Sequence, residues 1–172
     1  MAAFLDAWIP SEFPDLNFQC VPHEGKNDLK RSIPIKLRGW KEPGVNFIIL
    51  MDNDNRDCLL SKNEISRICR ESGRSDTIIR LVCQELEAWY LGNPSAISRA
   101  YHQPQLLSKM KSTKFKNPDS IEKPSRELAR LVPEFQKISG AKAIAASFGH
   151  EENRSRSFIV FRRSLESATF DT

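Results

Sequence analysis

Phe47-Ile48-Ile49-Leu50-Met51-Asp52-Asn53-Asp54 is the stretch on which the fold turns. A run of large apolar residues ends in an acid, and a second acid follows two positions on. Short apolar runs bounded by turn residues read as fully buried strands. In open α/β sheets ligands sit just beyond the carboxyl ends of such strands, so Asp52 falls where a functional group would stand. Two carboxylates this close repel each other unless a positive charge lies between them. A hard divalent cation such as Mg²⁺, which takes oxygen ligands and one or two carboxylates, answers that requirement. The alternative is an ordinary Asp/Asn-rich turn, which both residue types favour.

Working outward, the segments on either side alternate in type. Phe4, Leu5, Trp8 and Ile9 have helical spacing, and Pro10 and Pro14 are expected to stop that helix. Residues 17–21 alternate as a strand, with Phe18, Cys20 and Val21 apolar. His23-Glu24-Gly25-Lys26 makes a strand-to-helix turn, and Asn27 or Asp28 can cap a helix carrying Leu29, Ile33 and Leu37. Pro34 lies within that helix, and Glu42-Pro43-Gly44 is a turn. After Asp54, residues 59–71 read as an amphipathic helix with Leu60, Ile65 and Ile68 inward and Gly73 at its C-cap. Residues 77–83 read as another strand and residues 84–91 as a helix ending at Gly92-Asn93-Pro94. The rhythm α-β-α-β-α-β-α predicts an α/β fold with a small parallel sheet flanked by helices, the Asp52 strand being the middle of three.

Beyond Pro94 the rhythm changes. Helix-like pieces at 96–101, 126–131, 141–148 and 155–168 surround a Lys-rich linker at 108–123, and no further strand is evident. The last helix carries Phe158, Ile159, Phe161 and Leu165. Residues 1–93 are therefore expected to form the α/β core, with 94–172 a mostly helical extension packed on it in the same domain.

Length and charge bound the function only loosely. The chain has 172 residues and a formal charge of +4, which suits a phosphate-bearing partner without requiring one. Four scattered cysteines, Cys20, Cys58, Cys69 and Cys83, have no CxxC spacing or paired His, so they read as reduced thiols of a cytoplasmic protein and not as a zinc site. No apolar run reaches the length of a membrane span, and no signal peptide is visible.

Several side chains could carry chemistry near the strand tips. The His23–Lys26 turn offers a Gly backbone and the Lys26 ammonium to an anion, or it is a plain Gly turn with a solvated Lys. It lacks the GxxxxGK[ST] pattern, so triphosphate hydrolysis is not supported. Glu85 and Glu87 begin a helix, where acids are favoured by the macrodipole. Neighbours two apart on a helix point to opposite sides, so one of them should face Asp52 and Asp54; Glu85 is the first choice. Leu86 and Trp89 read as core. Lys137, Lys142, Arg154 and Arg156 flank Ser155 and Ser157, either of which can cap the last helix and leave its N-terminus open to an anion; otherwise these charges form a solvated face. His23, His102 and His150 have no partner at ligand or triad spacing, and no Ser/His/Asp or Cys/His set is present.

The segments HEGK, KLRGW, FIILMDND with Cys58 soon after, IRLVCQELEAWYLGN, KFKNPD, Lys137-x-x-Gly140-Ala141 and RSRSF together resemble a bacterial family of unknown function placed with the TOPRIM-like (topoisomerase–primase) fold. The resemblance spans nearly the whole chain. It implies a small parallel sheet with a Glu after the first strand and a DxD after a later one, which bind Mg²⁺ (or Mn²⁺) and support phosphodiester cleavage. Asp52 and Asp54 match the DxD. The resemblance places the first-strand Glu ahead of the opening helix, so the chain is expected to be short by one strand and its acid. It also implies an ABC- or AAA-type ATPase partner in an anti-phage system.

The leading expectation is thus a Mg²⁺-dependent nuclease. Asp52 and Asp54 would hold the metal, Glu85 would complete the catalytic acids, and Glu87 would join the metal set. Lys26, Lys137, Arg154 and Ser155 would take the phosphate of a nucleic acid. The alternative is a non-catalytic TOPRIM-like subunit that docks on an ATPase or binds nucleic acid, and a homo-oligomer is compatible with either. A phosphatase of the haloacid-dehalogenase type ranks lower, because Asn55 follows the DxD and the strand is not the first.

Overall fold

A computed structural model describes residues 1–149 and 152–170, with side chains through residue 167. Two parallel strands, β1 (Ile48–Asp52) and β2 (Ile78–Val82), pair in register from Ile48↔Ile78 to Asp52↔Val82. Helices α1 (Ala2–Glu12), α2 (Lys26–Gly39) and α3 (Cys58–Glu71) surround them in sequence order. After β2 come α4 (Glu87–Leu91), α5 (Pro94–Ala100), α6 (Gln105–Lys109), α7 (Pro124–Leu131), α8 (Ser139–Ala146) and α9 (Arg156–Phe170). The chain is a mixed α/β fold.

The strands alternate between two apolar cores, as period-2 side chains must. Ile49, Met51 and Leu81 pack with Ile33 and Leu37 of α2 and Ile65 and Cys69 of α3. On the other side Val82, with Ile48 and Leu50 at its margin, meets a larger core shared by α1 and the helices after β2. An aromatic cluster fills that core: Trp8 and Trp89 both contact Phe158 and Phe161, and Phe4 bridges the two indoles. The opening helix and the helices beyond Pro94 therefore share one interior.

Several expectations change in detail. Helix α1 runs through Pro10 to Glu12; a proline in the last turn leaves only the turn before it without a bond. Residues 17–21 form no strand ladder. Leu16, Phe18 and Cys20 do face the large core while Asn17 and Gln19 are exposed, so the alternation reports an extended segment without a paired neighbour. The sheet of the described residues consequently has two strands, and β1 is not the middle of three. In α3 the Asp57 side chain accepts from the Leu60 amide and starts the helix at Cys58. The buried stripe becomes Ser61, Ile65 and Cys69, and Leu60 is 70% exposed. Helix α2 starts at Lys26 after Gly25, with Asp28 accepting the Glu24 amide from inside its first turn. The helix expected over 84–91 is reduced to Glu87–Leu91, because Gln84 has a left-handed backbone (φ 64) and bonds to the β1 tip. Gly73 (φ 80) closes α3 as expected.

Helix α4 ends where Gly92 meets the strand of chain entering α9. The Gly92 carbonyl accepts the Arg154 amide at 2.9 Å, and the buried Asn153 donates from Nδ2 to the Trp89 carbonyl at 2.9 Å. A Cβ on Gly92 would overlap the Asn153 carboxamide and crowd the Ser155 amide. Gly92→Ala is expected to destabilise the fold by about 2–3 kcal/mol, since overpacking here also breaks a buried hydrogen bond. Urea unfolding of the two proteins measures it; an unchanged midpoint would show that Asn153 yields freely.

Candidate functional site

The β1–β2 ladder continues past both strands. The Asn53 amide donates to the Val82 carbonyl at 2.9 Å, the Asp54 amide to the Gln84 carbonyl at 3.1 Å, and the Asn55 amide to Gln84 Oε1 at 2.9 Å. Asp54, Asn55 and Gln84 all adopt left-handed φ values (50, 60 and 64), which Asp and Asn tolerate better than most side chains. Asn53 is buried, its Nδ2 donating to the Arg56 carbonyl at 2.5 Å and contacting Cys58 Sγ at 3.4 Å. The two tips are thereby locked together, and Asp52 is held at their junction.

Asp52 sits among acids with little to balance it. Its Oδ1 is buried and has no hydrogen-bond partner. Burial, then the charges of Glu87, Asp54 and Glu85, push its pKa up to about 6. Glu87 is raised too, by burial and by Glu85, against its own backbone amide and the charge of Lys137. The Tyr90 phenol is raised by burial and by the fields of Glu87 and Asp52. Glu85 turns elsewhere: its Oε2 accepts the Ser125 amide at 2.8 Å, capping the first turn of α7. Both acids of the pair act on the Asp52 charge, Glu87 more strongly than Glu85, which is bonded to α7. Asp54 makes an ion pair with Lys26 at 2.7 Å, and Lys26 also donates to the Asn53 carbonyl at 3.3 Å. Among the described residues no three His, Cys, Asp or Glu side chains converge as a ready metal cage.

The expected phosphate ligands divide. Lys26 lies at the tips, and Lys137 is exposed with its charge felt at Glu87. Arg154 is committed to the fold, donating to the carbonyls of Met110 (3.2 Å) and Phe115 (3.4 Å). Ser155 is completely buried and caps α9 through the Phe158 amide at 3.2 Å. The anion at the α9 N-terminus is the chain's own Asp119, which accepts from Ser155 Oγ at 2.6 Å and from the Ser157 amide at 2.9 Å. An external phosphate would have to displace it, so Arg154 and Ser155 do not present a ligand site in this structure. Lys142 and Arg156 are exposed.

Two residues at this edge were passed over in the sequence. Glu24 belongs to the turn that Lys26 ties to Asp54, yet that turn was read for its Gly and Lys alone. Asp119, in Asn117-Pro118-Asp119, looked like linker chemistry. Of the histidines, His23 contacts Asp28 at 3.2 Å, His102 is exposed, and His150 lies outside the described residues.

A carboxyl with a raised pKa binds its proton more tightly in the folded state, so its contribution to stability falls as pH rises from about 4 through about 6. Asp52→Asn keeps the shape and removes the charge. It should stabilise the metal-free protein at pH 7 by about 2 kcal/mol, allowing for partial solvation, and the gain should vanish near pH 4. Thermal unfolding in EDTA across that range tests it; a variant less stable than wild type at pH 7 would mean that Asp52 already has its counter-charge.

Comparison with known proteins returns no match among curated proteins and none among solved structures. A family model described as a domain of unknown function, DUF4276, matches residues 20–166. That span holds the His23–Lys26 turn, both strands, all of the acids above and the helices after β2. The chain belongs to the DUF4276 family.

Proposed function

We propose that this chain is a TOPRIM-like, Mg²⁺- or Mn²⁺-dependent nuclease that hydrolyses phosphodiester bonds of nucleic acid. One observation carries the reading: Asp52 presents a buried, unpartnered carboxylate oxygen to a neighbourhood made acidic by Glu87 and Asp54. The arrangement costs stability unless a cation is added. The donors are hard oxygens, and Mg²⁺ characteristically takes one or two carboxylates and completes its shell with water and substrate phosphate. The fit therefore does not need a closed cage of side chains. Bound there, the metal would polarise a phosphoryl oxygen and lower the pKa of a coordinated water.

Asp52 and Glu87 are the assigned metal carboxylates, with Asp54 beside them. Lys26 neutralises Asp54 at rest and is within the same turn region to meet a phosphate. Lys137 contributes positive field on the Glu87 side. Glu85 shapes the site by holding α7. The ABC- or AAA-type ATPase partner and the anti-phage setting extend this proposal by resemblance alone.

A second reading has its own support. With Asp54 paired to Lys26 and Glu85 capping α7, the chain could serve as a non-catalytic nucleic-acid-binding or ATPase-docking subunit. Cleavage separates the two. Labelled DNA and RNA, single-stranded and duplex, are incubated with the protein in Mn²⁺, Mg²⁺ or EDTA. Metal-dependent cleavage is expected, with Asp52→Asn and Glu87→Gln each reducing the rate by at least about 100-fold at unchanged circular dichroism, the scale of losing a positioned catalytic group. Cleavage by Asp52→Asn at the wild-type rate overturns the assignment. Absence of cleavage with every metal and substrate favours the non-catalytic subunit.

A further inference from the structure

The segment from Lys109 to Arg126 holds six of the chain's 26 basic residues and two of its 22 acids. Its net charge is therefore +4, the value of the whole chain, and the remainder balances at twenty against twenty. The asymmetry on the surface is larger still. Asp119, one of the two acids, is turned inward onto the start of α9. Lys109, Lys111, Lys114, Lys116, Lys123 and Arg126 are all exposed. Lys114 pairs with Glu127 at 2.6 Å; the other five have no acidic partner among the described residues.

This segment is pinned along its length. Met110, Phe115, Pro118, Ile121 and Pro124 are buried, so apolar anchors are interleaved with the cations. Arg154 holds the carbonyls of Met110 and Phe115 from beneath, and Asp119 fastens the middle to α9. The far end is joined to the acidic site: the Ser125 amide bonds Glu85, whose charge reaches Asp52. Cations on a fixed frame lose less conformational freedom on binding a regular array of phosphates than cations on a floppy loop.

We propose that the strap 109–126 is the surface that seats the backbone of a duplex nucleic acid beside Asp52 and Glu87. Sequence-independent binding to a duplex is carried by Lys and Arg on phosphates. Single-strand binders add exposed aromatic side chains on which bases stack. Every described Phe, Tyr and Trp ring in this chain is buried or half-buried, so the strap offers charge without a stacking platform. The inference rests on the reading of the acidic site as a nucleic-acid site, and it adds which surface and which form of substrate.

The test measures binding apart from cleavage. A labelled 20-base-pair duplex is titrated in EDTA between 50 and 200 mM salt and followed by fluorescence anisotropy. The variant Lys109→Gln/Lys111→Gln/Lys116→Gln/Lys123→Gln should lose at least about 30-fold in affinity near 100 mM salt, and its log K against log salt slope should be shallower by about 3–4, since each phosphate contact contributes about 0.9. Lys36→Gln/Lys41→Gln/Arg70→Gln/Arg163→Gln removes the same charge elsewhere and should stay within about threefold of wild type, because exposed charges beyond a Debye length are screened. Equal losses in both variants, wild-type binding by the strap variant, no duplex binding by wild type, or a tenfold preference for single strands each overturn the proposal. The two proposals fail separately: cleavage by Asp52→Asn at the wild-type rate removes the nuclease assignment and leaves a strap-dependent affinity standing, whereas wild-type affinity in the strap variant with cleavage lost in Asp52→Asn removes the strap alone.

Discussion

The hydrogen bonds that carry the β1–β2 ladder past its last residues, from Asn53 to Val82 and from Asp54 to Gln84, are the constraint on which the rest of the acidic edge depends. Two five-residue strands would be marginal alone, and here each face is clad by its own core. The extra rungs force three residues into left-handed conformations and bring the start of α4 against the end of β1. The Glu87 charge is thereby felt at Asp52. The Asn53 side chain, buried and bonded to the Arg56 carbonyl and near Cys58, ties the same junction to the start of α3. Local backbone strain of this kind costs on the order of 1 kcal/mol or more per residue and persists only where the surroundings over-determine it.

Where side-chain pattern alone decides an element, the sequence is legible. The apolar run to Asp52, the run to Val82 and the Gly73 cap are each fixed by local periodicity or by backbone sterics. Legibility ends where an element is defined by a partner. Leu16, Phe18 and Cys20 alternate correctly, but whether an alternating segment is a strand depends on a neighbouring backbone that its own residues do not encode. Gln84 looks helical by propensity, and its backbone is instead taken by the Asp54 amide. Glu85 and Glu87 could be divided by helical geometry, yet that the Ser125 amide, forty residues away, would take Glu85 was not encoded nearby. Ser155 was readable as a helix cap; that Asp119 would occupy the same helix end was not, because the contact joins two turns that only the packed aromatic core brings together.

The chain sorts its charges by depth. Acids are drawn inward, Asp52 and Glu87 to the strand tips and Asp119 to the α9 N-terminus. Its excess cations stay on the outer face of the strap. The internal use of Asp119 has a further effect. A helix N-terminus already satisfied by a carboxylate offers no anion site, so attraction for a polyanion falls to exposed ammonium groups and becomes strongly dependent on salt. That same carboxylate also removes a negative charge from the surface where a phosphate would approach.

Asp119 and Asp52 are both half-buried carboxylates near strand or helix ends, and their surroundings differ. Asp119 is met by two hydroxyls and a helix-end amide. Asp52 has an orphaned oxygen and acidic neighbours, and the N-terminal ammonium offsets their charge only in part. Natural sequences break local consistency chiefly at functional positions. An Asn at residue 52 would fit the same space without the electrostatic cost, so the stability lost by keeping Asp there has to be recovered by something the metal-free chain does not contain. On the proposed reading a cation at the strand tips would supply that recovery, and a phosphate backbone seated on the adjoining strap would be the substrate on which it acts.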